Sequence, residues 1–384
     1  MASEISEQPV SSCEENKVCA FIDSLLISIL DEMSRPDGNP SISLKRRSTQ
    51  ATYYLNQETC ALQSESEIRT CTYSWPGTTA QEAWRFGVVL RILGLISETH
   101  QGNFVSSKRD IFYQDPAYFG SQQLVDRYID DIAYTIDVDR TALHVTAAAK
   151  GLICGCCKLK LKNGIVLDVA GQNEGIIISR TDEIEQIDLS GVAWILVIEK
   201  EAVFHRLATS NCHNLAKGRK GILLTGKGYP DLNTRAFLRL LSDTARSNPS
   251  SNESNGCPTI YALVDCDPDG LAIMSTYKYG SMAQVHENSR LNVPEIRWLG
   301  LRLSETLTSM QESSKFSLLQ LTQRDRKKAE AMLKKNPSFA EGGPEPSWRR
   351  ELQVMLMLNL KAEIEILYEL DGGMASWFQK NICW

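Results

Sequence analysis

Apolar and polar residues follow two different periods along this chain, and the change falls near residue 190. Before it, helical spacing dominates. "ENKVCAFIDSLLISILDEM" (15–33) sets apolar residues three and four apart and so has a stripe to bury. That stripe can fold back on its own domain or serve a partner. Residues 1–16 are polar and read as disordered, and "SRPDGNPS" (34–41) reads as a linker. Three more helices follow. "TTAQEAWRFGVVLRILGLISE" opens with Thr79 three residues ahead of Glu82, a capping-box spacing. "SSKRDIFYQD" has Ser107 as its N-cap and Pro116 soon after its end. "SQQLVDRYIDDIAYTI" aligns Leu124, Tyr128 and Ile132. "ALHVTAAAKGLICG" and "KLKLKNGIVLDVAG" then read as strands, the second turning at Asn163-Gly164. Helices followed by a short hairpin predict a winged-helix domain over 51–175, behind a flexible N-terminal tail of 1–50.

From Val192 the period shortens. "WILVIEKEAVFHRLA", "GILLTGKGYPDLNTRAFLRLLSDTA" and "TIYALVDCDPDGLAIMSTYKYG" each run from a short apolar strand into a helix, and "EIRWLGL" adds a strand. Strands alternating with helices predict a mainly parallel α/β sheet over 180–384. The fold class is therefore α/β, or α+β overall. "SNPSSNESNGCP" (247–258) is a polar loop, and the chain beyond Lys315 is mostly helical, broken at "NPSFAEGGPEPS".

Composition narrows the function classes. With 384 residues and 42% hydrophobic content, the chain can build two cores. It has neither an apolar signal region nor an uninterrupted apolar run of transmembrane length, so no membrane is expected. Eleven cysteines without a secretory signal suggest a reducing compartment and free thiols. "CGCC" (154–157) has no second Cys/His pair at zinc-finger spacing. A net charge of −6 does not advertise a nucleic-acid binder, yet "LKRR", "KLKLK", "KGRKG" and "RDRKKAEAMLKK" concentrate positive charge locally. Taken singly, each such run is an ordinary solvated face.

The densest chemistry lies in "TIYALVDCDPDGLAIMS" (259–275), where Asp265, Asp267 and Asp269 alternate ahead of a glycine. An EF-hand loop would need a glutamate at its twelfth position, where Thr276 stands, and a helix rather than a strand in front. A HAD-type phosphotransferase would need a lysine and a further acidic pair at a strand end downstream; no such strand follows. In open parallel sheets, ligands gather at the carboxyl ends of strands. Glu199 ends one strand and Asp265 another, with Asp267 close behind, so the fold brings three carboxylates together. Their repulsion asks for a divalent cation, and oxygen donors suit Mg2+. Asp269 either binds a second ion or caps the following helix. Glu201, two residues past Glu199, falls on a helix surface, and His205 and His144 read as packed residues.

A strand-end glutamate followed by a strand-end Asp-x-Asp resembles the Toprim domain of topoisomerases and primases. The stretches "KRDIFYQD", "AAAKGLICG", "VIEKEAVFHRL", "GKGYPDLNTR" and "LVDCDPDGLAIMSTYKYGS" together resemble the topoisomerase VI A-subunit family, in order, from about residue 70 to about 305. The tail of the last stretch looks closer to the eukaryotic meiotic branch of that family. That resemblance implies a DNA transesterase that breaks both strands to start meiotic recombination. Tyr113 would be the nucleophile, and Arg109, one helical turn earlier, would grip the scissile phosphate. A phenol both attacks phosphorus and leaves it more readily than an aliphatic alkoxide, so a phosphotyrosyl link is reversible chemistry. Glu199, Asp265 and Asp267 would hold Mg2+, and Lys150, Lys227 and Tyr229 would face double-stranded DNA. The resemblance also implies a homodimer, with the tyrosine of one protomer serving the metal site of the other. A B-type partner is implied too, with the 15–33 helix as the candidate contact, and a nuclear location. A Toprim nuclease or primase would need the acids but not Tyr113. A silent DNA-binding scaffold would need neither, and a phosphatase remains a distant fourth reading.

Overall fold

The computed structural model describes residues 10–46, 51–65, 68–146, 149–172, 174–212, 220–247, 257–309, 318–369 and 373–382. They form two compact units, one of residues 1–51 and 65–148, the other of 52–64 and 149–384.

The first unit is mostly helical. Ala80–Gly102, Lys108–Gln114 and Gln122–Ile136 appear where periodicity places them, capped by Thr79, Ser107 and Ser121. Glu82 does not close a capping box on Thr79; its carboxylate accepts from the Thr78 N–H and hydroxyl instead. Val88, Val89, Ile92 and Ile96 pack with Tyr128, Ile129 and Ile132 in one core. Beside these lies an antiparallel pair, Ser41–Arg46 with Arg69–Ser74. Ile42 and Leu44 point into the core while their neighbours face outward. Sequence reading missed both strands because each offers only a few alternations.

The N-terminal helix, Val10–Met33, begins well inside the stretch expected to be disordered. Residues 1–9 of that tail lie outside the described residues. Of the two uses open to its stripe, folding back is realised: Val18, Ile22 and Ile29 are buried in the core of the first unit. A second row, Leu26, Ile27, Leu30 and Met33, stays exposed.

The second unit is built on a six-stranded sheet. Its order is Ile176–Ile177, Leu152–Gly155, Lys220–Thr225, Val192–Ile198, Thr259–Leu263, Arg297–Gly300. The last four strands are parallel, and Leu152–Gly155 pairs antiparallel with both of its neighbours. Val192–Ile198 lies centrally and is apolar almost throughout, as a strand covered on both faces must be. The expected boundary near 175–180 differs from this division. Leu152–Gly155 is buried at every position and pairs with Lys220–Thr225, so it belongs to the second unit. The hairpin turning at Asn163-Gly164 does form, Lys158–Leu161 with Val166–Asp168, but in that same unit, with Ile184–Asp188 as a third strand. Residues 52–64 also join this unit: Leu62 donates to the Tyr279 carbonyl, and the Asn288 and Asn292 amides donate to the Leu62 and Thr59 carbonyls. The polar loop expected at 247–258 falls largely outside the described residues.

Candidate active site

Tyr113 lies on Lys108–Gln114, a helix too short to be stable by itself, so its position depends on anchors. There are three. Ser107 and Asp110 form a reciprocal capping box. Ile111 is buried and Phe112 packs against the same core. Lys108, largely buried, donates to Asp130 Oδ1 at 2.6 Å and the Asp126 carbonyl at 3.2 Å. Burial and the nearby Arg140 pull the Lys108 ammonium below its usual range, while Asp130 opposes this. With positions 108, 111 and 112 facing inward, positions 109 and 113 face solvent. The Tyr113 side chain is 66% exposed, its ring beside that of Phe112 at 5.5 Å. Its hydroxyl has no hydrogen-bond partner among the described residues. Arg109 is exposed on the same face, one turn earlier.

The acids of the second unit are held differently. Ile198 is paired with Leu263 on the adjacent parallel strand, so the two strands end side by side. Glu199 N–H donates to the Leu263 carbonyl at 3.1 Å, and the Asp265 N–H donates to Glu199 Oε2 at 2.8 Å. Asp265 is 7% exposed; its Oδ1 accepts from the Ile364 N–H at 2.8 Å and its Oδ2 lies 3.2 Å from Lys200 Nζ. Asp267 is the N-cap of Pro268–Lys278, accepting from the Gly270 N–H at 2.7 Å. Gly270 is required here, because a Cβ would collide with the Asp265 carbonyl. Burial, and then the charge of Asp265, pushes Glu199 above the usual carboxylate range. Burial also raises Asp265 and Asp267, against the N–H donors and lysines that favour their charged forms. Of the three carboxylates expected together, Glu199 and Asp265 adjoin through the Asp265 N–H, while Asp267 caps the following helix. Among the described residues, no group of three or more His, Cys, Asp or Glu side chains is set to hold a metal ion.

The donor chemistry fits Mg2+: hard carboxylate oxygens crowded where burial and mutual repulsion disfavour their charges. What stands against them here is lysine. Lys200 meets Asp265, Glu363 and Glu365; Lys361 meets Asp267 and Asp325; Lys328 contacts Asp269. Sequence reading missed these three. Lys200 was legible as the neighbour of Glu199, but nothing in the sequence signals partners as distant as 328 and 361.

The "GKGYPD" loop joins the same edge. The Gly228 N–H donates to the Glu199 carbonyl at 2.9 Å. Lys227 and Gly228 both have positive φ, 54° and 84°, which turns the loop back across the strand end. Lys150 Nζ donates to the Tyr229 carbonyl at 2.6 Å and the Lys227 carbonyl at 3.4 Å. Lys227 pairs with Glu201 at 2.8 Å, so Glu201 has a partner in this loop rather than a purely solvated role. The Tyr229 hydroxyl accepts from Lys328 Nζ at 2.5 Å and donates to Asp269 Oδ1 at 3.3 Å. Lys150, from outside the loop, therefore braces the turn that carries Lys227 and Tyr229, and the three are brought together. Of the histidines, His144 stacks on His100 with ring centroids 4.0 Å apart, whereas His205 lies on a helix surface beside Glu201.

A parallel sheet that delivers a glutamate and an Asp-x-Asp pair to one edge has the architecture of a Toprim domain. The family model for the Toprim domain of the topoisomerase 6 A-subunit and Spo11 proteins matches residues 194–376. One described as "Type IIB DNA topoisomerase" matches 84–145, the stretch containing Tyr113. The chain is 32% identical to human "Meiotic recombination protein SPO11" across 94% of its own length and 85% of that protein's. It is 32% identical to "Meiotic recombination protein rec12" of Schizosaccharomyces pombe, over 97% and 96% of the two lengths. With the A-type chain of DNA topoisomerase 6 from Arabidopsis thaliana it shares 29% identity over 93% and 79%. The chain belongs to the family of Spo11 and the topoisomerase 6 A-subunit. No helix among the described residues is long and apolar enough to cross a membrane.

Proposed function

We propose that this chain is a DNA transesterase that makes the double-strand breaks initiating meiotic recombination. The observation that carries the reading is the presentation of Tyr113: an exposed phenol on a short helix pinned by a capping box, a buried lysine and Ile111, with Arg109 on the same face. Tyr113 Oη attacks a backbone phosphorus. The P–O3′ bond breaks, the 3′ oxygen leaves and takes up a proton, the phenol loses its own, and a 5′-phosphotyrosyl ester remains. No water or nucleotide is consumed, so the step is reversible. Arg109 binds the scissile phosphate through two N–H groups and stabilises its charge in the transition state.

Glu199, Asp265 and Asp267 are the residues that would hold Mg2+, which orients phosphate oxygens and stabilises the leaving oxygen when bound. The crowding of these acids supports that reading. The loop that carries Lys227 and Tyr229, braced by Lys150, presents one exposed aromatic ring, with Lys227 paired to Glu201, and this reading lays it against a DNA backbone. The first unit is read as a winged-helix-type DNA-binding domain, cutting both strands as a homodimer. The exposed row Leu26, Ile27, Leu30 and Met33 is the reading's contact for a B-type partner. The nucleus follows from the substrate and from the names of the relatives.

The test is cleavage of supercoiled plasmid by the purified chain with its B-type partner. Linear product that needs Mg2+ and enters the gel only after protease digestion supports the proposal. Linear product with free ends would instead favour a Toprim nuclease.

A further inference from the structure

The three lysines at the acidic edge are not equivalent. Lys200 is shared with two partly exposed glutamates, and Lys328 braces Tyr229. Lys361 has neither distraction. It sits in the short strand Leu360–Lys361, paired with Leu319–Gln320, and the next residue, Ala362, is bridged to Cys266 between the two aspartates. Its ammonium is held at 2.9 Å by Asp325, which is itself buried and fixed by the Thr322 capping box. From that anchor it faces Asp267 Oδ2 at 4.0 Å, close enough for a strong Coulomb interaction but too far for a hydrogen bond. The charge of Glu363 also acts on it. One ammonium is thus shared between a buried acid that anchors it and a second acid at Coulomb distance.

We propose that Lys361 is a positioning residue of the metal site: a fixed ammonium, anchored on Asp325, that stands in for positive charge at Asp267 and competes with the incoming divalent cation. It rests on the reading that Asp267 is a metal ligand. The consequence is a deliberately weak site, filled only when phosphate oxygens supplement the protein donors. Asp325 sets the balance, since it draws the ammonium away from Asp267.

The test is Mn2+ binding to the purified full chain, followed by electron paramagnetic resonance, with the melting temperature in EDTA recorded for every variant. Lys361→Met and Lys361→Gln should each bind Mn2+ about three- to tenfold more tightly than wild type. Asp325→Asn should bind it more weakly, because the freed ammonium moves onto Asp267. Lys334→Met, an exposed lysine on the neighbouring helix Gln323–Lys335, should leave binding unchanged. A purely structural role for Lys361 would lower the melting temperature and shift both Lys361 and Asp325 variants the same way, overturning the proposal. Unchanged or weaker binding in both Lys361 variants would also overturn it. If Asp267→Asn binds Mn2+ as well as wild type does, the metal reading itself fails and this inference falls with it.

Discussion

The tyrosine proposed as nucleophile and the acids proposed as metal ligands are held by opposite strategies. Tyr113 stands on a short helix with its ring in solvent and its hydroxyl without a partner among the described residues, while the helix beneath it is fixed at three points. Glu199 and Asp265 are enclosed at the ends of central strands, and Lys200 beside them is also bonded elsewhere. A nucleophile has to reach a substrate that arrives from outside, so only its base needs to be rigid. A metal site has to hold like charges together before any cation arrives, so its donors need support from backbone N–H groups and lysines.

That contrast makes different losses expected in the two regions. The largest concerns Glu199→Gln and Asp265→Asn, which should remove divalent-cation binding and all cleavage. Asp265→Asn should also disturb the clasp made by Lys200 and the Ile364 N–H, detectable as a lowered melting temperature in EDTA. Tyr113→Phe should likewise abolish covalent attachment but change stability by no more than about 0.5 kcal/mol, because the lost hydroxyl makes no hydrogen bond among the described residues. Equal destabilisation by the tyrosine and acid variants would break the comparison.

Intermediate effects probe what holds each region. Ile22→Ala or Ile29→Ala should destabilise the first unit by about 2–4 kcal/mol, since both side chains lie in its core. Ile27→Ala and Leu30→Ala, on the exposed row, should leave stability within about 0.5 kcal/mol while weakening capture of the B-type partner. Ser107→Ala should cost about 1 kcal/mol in chemical denaturation through loss of the cap, and should slow cleavage by loosening the tyrosine helix. The smallest effect is chemical. Burial pushes the Cys154 thiol up to about 11 and Cys157 up to about 12, so little thiolate, the reactive form, is present at about pH 8. Maleimide should therefore label the exposed Cys19 and Cys257 and spare Cys154 and Cys157 until the protein unfolds. Fast labelling of Cys154 would mean that Leu152–Gly155 is a solvated wing after all.

These elements also show how far residue patterns reach. The parallel strands, the helix caps at Thr79 and Ser107, and the meeting of Glu199 with Asp265 were legible, because each is encoded by neighbours in sequence or by strand ends in a known order. The partition of the chain was not. Leu152–Gly155 looks like half of a hairpin, and only its complete burial against Lys220–Thr225 assigns it elsewhere. Residues 52–64 leave the first unit between two of its strands, which no local period reveals. Lys328 and Lys361 were hidden for the same reason. Every lysine of "RDRKKAEAMLKK", and the one in "LNLKAEI", looks solvated, and tertiary pairing alone selects those that turn toward the acids.

The central claim is that Tyr113 becomes joined to DNA. Its most direct measurement is recovery of covalent protein–DNA complexes after denaturation from cells expressing wild type, Tyr113→Phe or Glu199→Gln with the B-type partner. Complexes in wild type that vanish in both variants are the predicted result; complexes that persist in Tyr113→Phe would show that another residue is the nucleophile.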